Sequence, residues 1–203
     1  MPKSVAKPPP LPPTPAGYGW RSLACLADII PLLVIGWLLA GWTAGPDERA
    51  ARQTADAWVG RFAAQYEKAL REPSAQNNQI LMEMGRNPAP ADVEAIATWL
   101  AHLGVTTFYA LLLALTLQEW LLGGRTLGKR MFNLRTIDVR TGEPPGFLDS
   151  LMRSACKAAC FALPNPIITL VGLVNFHVPL FRRDHRAWHD LWTKTQVVLG
   201  DRS

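Results

Sequence analysis

Residues 20–43, WRSLACLADIIPLLVIGWLLAGWT, decide the fold. Residues 29–43 carry no charge, and between Trp20 and that run only Arg21 and Asp28 do. At 1.5 Å rise per residue the stretch is long enough to cross the roughly 30 Å hydrocarbon core of a bilayer. Trp20 and Trp42 bracket it, 22 residues apart, which places two indole rings near the two interfaces they favour. Residues 96–122, IATWLAHLGVTTFYALLLALTLQEWLL, repeat the arrangement: Trp99 and Trp120 lie 21 residues apart, and the ionisable groups, His102 and Glu119, sit near the ends. Buried helices of a soluble protein would explain the apolar runs but not this bracketing. A cleaved signal peptide is disfavoured by Asp28 at the mouth of the apolar run, and by Trp42, which stands where cleavage after Ala44 requires a small residue.

The rest of the 203 residues is consistent with a membrane protein. Charged residues make up 18%, against about 25% in soluble domains. Three cysteines without a paired spacing exclude a disulfide-stapled fold. A third apolar stretch, residues 161–181, is broken by Pro164, Asn165 and Pro166, which points to a helical hairpin; a single third crossing is the competing topology. Its first half, FLDSLMRSACKAACFAL, is amphipathic because of Arg153 and Lys157. Residues 44–95 hold six Lys and Arg among eight acids, whereas the shorter segment 123–157 holds seven and the tail from residue 182 five. Density of positive charge therefore places both termini and residues 123–157 on the cytoplasmic side, and 44–95 outside.

The first 17 residues contain seven prolines and read as a disordered tail. Ala55, Trp58, Val59, Phe62, Tyr66 and Leu70 recur at helical steps, so an amphipathic helix ends near Pro73, with SAQNNQ (74–79) as a loop behind it. NLRTIDVRTGEPPG and TQVVLG have strand character, and on the cytoplasmic side they are placed to pair. The expected fold class is an all-α membrane protein: a small transmembrane helical bundle of two clear spans plus a C-terminal helical hairpin, with a short cytoplasmic β element. In domain terms, 1–17 form the tail and 18–200 the membrane domain, with 44–95 an extracytoplasmic helical insertion.

Three motifs bear on function. GGRTLGK (123–129) fits the start of a phosphate-binding loop, but Arg130 replaces the hydroxyl residue that would bind magnesium. The strand-to-helix context is also reversed, so the segment reads as a flexible basic corner. His185 and His189, four apart, would share a helix face as a metal pair, although without a third ligand a surface helix at the headgroups is the better reading. Arg21 and Asp28, seven residues apart, share a face but lie about 10 Å apart along the axis. Asp28 is the deeper, and an intramembrane carboxylate is costly unless it is paired, hydrated, protonated or binding a cation. Pro31 cannot donate to the Ala27 carbonyl, which leaves that oxygen beside the acid. Asp28 is thus either a cation or proton site, with Arg21 and Glu119 as further candidates, or one half of a structural ion pair with Arg153, Lys157 or another base. Glu119 is a candidate partner for Arg21.

With these residues in place, the sequence resembles the RDD family of integral membrane proteins, named for an arginine and two aspartates. RSLACLAD carries Arg21 and Asp28; GRTLGKRMFNLRTIDVRTGEPP carries Gly128 and Lys129; Arg153 matches a further basic position; HDLWTKTQVV carries His189 and Asp190. The resemblance covers 17–45 and 96–200. It implies a multi-pass protein of the bacterial plasma (inner) membrane involved in transport, with cation/proton exchange as one form. The alternative from another class is a membrane scaffold or assembly factor whose buried charges are structural. An enzyme is not expected, nor a cofactor, a metal or a nucleic-acid partner; the partners expected are the lipid bilayer, a small cation or proton, and a second copy of the chain.

Overall fold

The computed structural model describes residues 13–200, in the order α1 (Tyr18–Thr43), α2 (Pro46–Arg71), α3 (Ala75–Arg86), α4 (Pro90–Leu121), α5 (Leu127–Met131), β1 (Leu134–Asp138), α6 (Phe147–Ala162), α7 (Pro166–Phe181), α8 (Trp188–Trp192) and β2 (Thr195–Leu199). Two of these, α1 and α4, are long and apolar enough to cross a membrane; α1 runs on through Pro31. Their 26 and 32 residues make rods of about 39 and 48 Å, longer than the hydrocarbon core. Large apolar side chains point outward along both, with Trp42 83% and Leu113 62% exposed, a surface that lipid rather than water accommodates. The chain is a mostly helical membrane protein with a small sheet. It divides into two compact units, one holding residues up to Ile30, Ala114–Cys156 and residues from Leu173 on, the other Pro31–Leu113 and Lys157–Gly172.

In the second unit, α1 and α4 meet at Gly36, where a Cβ would lie 2.7 Å from the Thr107 hydroxyl. The core here is made of small residues, Ala40, Ala44, Ala51 and Ala95, around Trp99. Pro46 opens α2, whose first turn carries Asp47 and Glu48 and whose last turn carries Lys68 and Arg71, charges that match the helix dipole at both ends. SAQNNQ is not a loop. Ser74 caps α3 by accepting from the Asn77 amide at 3.1 Å, while the Asn77 side chain donates to the Glu72 carbonyl and Gln65 donates to that of Asn77. A polar run that looks like a linker is therefore consumed in starting a helix. The break before α7 is made as expected: Asn165 accepts from Ile167 and Ile168 at 3.0 and 3.1 Å, and Pro166 takes the first helical position. Gly172 then packs on Cys160, where a Cβ would come within 2.5 Å.

In the first unit, β1 and β2 pair antiparallel, Thr136 opposite Val197. The far edge of β2 is covered by residues 14–16: the Ala16 amide donates to Val197 O at 2.9 Å and the Leu199 amide to Thr14 O at 3.0 Å. The proline-rich tail read over 1–17 thus includes a segment held against the sheet, with Ala16 fully buried; residues 1–12 of that expectation lie outside the described residues. Ala16, Ala24, Leu134 and Val197 form the core, with Phe132 against it.

Gly36→Ala forces its methyl against a β-branched neighbour. It is expected to cost roughly 1–3 kcal/mol, and less in a Thr107→Ala background, as measured by unfolding of the four members of this cycle in mild detergent.

Candidate functional site

The residues singled out in the sequence converge in the first unit, as a network of charges. Arg21, in the first turns of α1, donates to the His185 carbonyl and to Asp190 Oδ2. The other oxygen of Asp190 accepts from Arg153 Nη1, which also reaches the Thr195 hydroxyl. On its opposite side Arg153 Nε lies 3.3 Å from both oxygens of Glu119. Lys129 Nζ donates to Glu119 Oε1 and, at 2.6 Å, to the Thr136 hydroxyl, which itself donates to Glu119 at 2.7 Å. The chain of contacts runs Arg21, Asp190, Arg153, Glu119, Lys129, through α1, α8, α6, α4 and α5 in turn. Arg153, Glu119 and Asp190 are wholly buried.

Local structure explains how each group is delivered. Gly123 and Gly124 turn the chain at φ of 63° and 79°, a region open to glycine. Thr126 then caps α5, accepting from the Lys129 amide at 3.3 Å, and this one-turn helix swings the Lys129 ammonium back onto Glu119. The segment is accordingly no flexible basic corner: Lys129 is 5% exposed. His189 accepts at Nδ1 from the Asn175 side chain (3.0 Å), whose own orientation is set by the Trp188 amide donating to Oδ1 at 2.9 Å. The His189 proton therefore sits on Nε2, 3.3 Å from Asp190 Oδ1. His185 does not share a helix with it; it occupies a left-handed turn (φ 51°) before α8 and bonds the Pro179 carbonyl. Among the described residues no group of three or more His, Cys, Asp or Glu is placed to hold a metal ion.

Asp28 stands apart from this ladder. One of its oxygens accepts from the Thr126 hydroxyl and the other from the Gly128 amide at 2.7 Å. Its contacts are neutral donors, not the Arg153 or Lys157 pairing weighed from the sequence. Gly128 is required for that approach, since a Cβ there would run into the Ala24 carbonyl and lie 2.9 Å from the Asp28 carboxyl carbon. Arg21, likewise, pairs with Asp190 and not with Glu119.

The ladder itself holds three bases, Arg21, Arg153 and Lys129, around two acids, Asp190 and Glu119. Burial alone would raise the Asp190 carboxyl, but the Arg153 and Arg21 guanidiniums hold it well below the usual aspartate range. At the exposed rim of the sheet, the Arg140 guanidinium beside Asp138 brings that carboxyl down to about 2. The sequence reading missed the hydroxyls, Thr126, Thr136 and Thr195, and the amide of Asn175. It also missed Thr116, Ser150 and Ser154, buried side chains whose oxygens find no protein partner. The strand alternation that places Thr136 inward was the one available signal.

A folded-state value below the unfolded one means that Asp190 contributes stability that is complete above its ordinary range, near 3.8. That contribution is lost only as pH falls through the depressed value. Asp190→Asn leaves Arg21 without its acid and the buried Arg153 with Glu119 alone, and is expected to cost about 3–5 kcal/mol. The gap between wild type and variant should stay flat from neutral pH to about 5 and narrow below the ordinary aspartate range, as read by denaturant unfolding in detergent.

The family model of the RDD family matches residues 15–194. Neither a curated protein nor a solved structure matches the chain.

Proposed function

We propose, from the premise that this chain belongs to the RDD family, that it is a multi-pass protein of a bacterial plasma membrane acting as a non-enzymatic scaffold. On this reading its buried charges hold the sheet-bearing unit together and do not pass ions. One observation carries it: both oxygens of Asp28 are engaged where the connection from α4 enters α5, one by the Thr126 hydroxyl and the other by the Gly128 backbone amide in the first turn of α5. To bind and release a proton or cation, this carboxylate would have to let go of that connection. The charge ladder beside it supports the same view, because each acid in it faces at least one base. The bilayer is then the one partner the fold requires; a small cation or proton and a second copy are partners of the other reading.

That other reading is transport, as cation or proton exchange through an intramembrane acid. What favours it is the set of hydroxyls at Thr116, Ser150 and Ser154. Thr116 lies one turn from Glu119 on α4, and Ser150 and Ser154 flank Arg153 on α6, so the polar faces meet at the Glu119–Arg153 contact. Buried hydroxyls of this kind ordinarily bond to water. In this form of the proposal Glu119, rather than Asp28, is the exchanging acid.

Reconstitution separates the two. The scaffold reading expects proteoliposomes to show no proton or sodium flux above empty vesicles. Flux abolished by Glu119→Gln in a folded protein would establish transport, and flux abolished by Asp28→Asn would overturn the structural role given to Asp28. Reporter fusions after Ala75, Arg140 and Gly200 test orientation: the first is expected outside and the other two in the cytoplasm. A tail found outside would reject the even number of crossings.

A further inference from the structure

The insertion between the two long helices is fastened to them by cations: Arg61 on α2 donates to both oxygens of Asp92 on α4 at 3.0 Å, and Arg52 on α2 meets a ring of each long helix. The Arg52 guanidinium, on α2, lies 5.5 Å from the ring centre of Trp37 on α1 and 5.2 Å from that of Trp99 on α4. Its floor is Gly41, where a Cβ would stand 3.3 Å from Arg52 Nη1. Trp99 is a fixed wall: it is 8% exposed and lies beside the His102 ring, which in turn is held by the Ala40 carbonyl at 3.0 Å. Trp37 is half exposed. Two indole faces around a planar cation, over a residue with no side chain, are the elements of an aromatic cage.

The way Arg52 is held makes it a replaceable occupant. Its ion pair, with Asp56, is long at 3.7 Å and reaches a largely exposed carboxylate, and the Arg52 side chain itself is 37% exposed. Exposed pairs of this kind contribute little, so the head group is retained chiefly by the two rings. Around it, α2 meets the cluster through Ala51, a side chain too small to grip. A free molecule with the same flat, delocalised head group presents the same charge and the same faces to the cage.

We propose that Trp37, Trp99 and Gly41 form a recognition site for organic cations of the guanidinium class, and that Arg52 is its built-in competitor, so that such a ligand displaces Arg52 and loosens the start of α2. The site is independent of the charge network and of whether the protein transports ions. Arg52, lying over both rings, masks the site in the wild type.

The test is calorimetric titration of the full-length protein in detergent with methylguanidine, against sodium chloride of equal ionic strength. Arg52→Ala is expected to bind methylguanidine saturably and at least about tenfold more tightly than wild type, and Arg52→Ala/Trp37→Leu to lose that binding. Should Arg52→Ala lose helical ellipticity, Arg52→Gln, which keeps the stem, decides by the same titration. Equal affinity in wild type and variant, or binding that survives Trp37→Leu, overturns the proposal, as does the absence of saturable binding once Arg52 is removed.

Discussion

A guanidinium with no access to water, Arg153, is the constraint on which the sheet-bearing unit depends. Removing such a charge from water costs several kcal/mol even after relaxation, and the cost is offset only by well-placed opposite charge. Arg153 obtains this from two directions, Glu119 on α4 and Asp190 on α8. Each acid, shared with a second cation, then imposes a position on Lys129 or Arg21. The geometry of α5, the turn before α8 and the register of β1 with β2 all follow from bringing these groups to one place. Hydroxyls of Thr136 and Thr195 take the remaining directions. Such a network is expensive to assemble and intolerant of partial loss, which makes it a specifier of one arrangement more than a source of net stability.

Much of the architecture was legible because lipid imposes simple rules. Long charge-free runs with tryptophan at both ends mark α1 and α4, and Pro164 to Pro166 mark the break before α7. Strand alternation gave β1 and β2. Where the reading went astray, a short polar side chain was doing a specific task. Ser74 and Asn77 look like linker residues until their hydrogen bonds are seen to start α3. Lys129 looks like a surface charge until α5 turns it inward.

The candidate site was legible as a list of residues but not as a set of pairs. Arg21, Asp28, Glu119, Lys129, Arg153, His189 and Asp190 were all picked out, yet spacing along a helix says which residues share a face, not which meet across 169 residues, as Arg21 and Asp190 do. Asp28 shows the point most clearly. Its depth suggested an ion site, while its actual partners are the hydroxyl that caps α5 and an amide of that one-turn helix, a stretch too short to show periodicity. Tertiary contacts to backbone groups leave almost no trace in a sequence.

The bridge between Pro15 and Val198 has an implication for biogenesis. Closing the sheet-bearing unit requires β2 and α8, because residues 14–16 add to β2 and Arg21 waits for Asp190. A ribosome delivers Asp190 169 residues after Arg21. The first helix must therefore enter the membrane with its arginine lacking its final counter-charge and hold there until α8 has been made. The sheet-bearing unit is completed only once β2 has been made, and a product truncated before it, however well inserted, would retain an open strand edge and an exposed arginine for quality-control proteases to find.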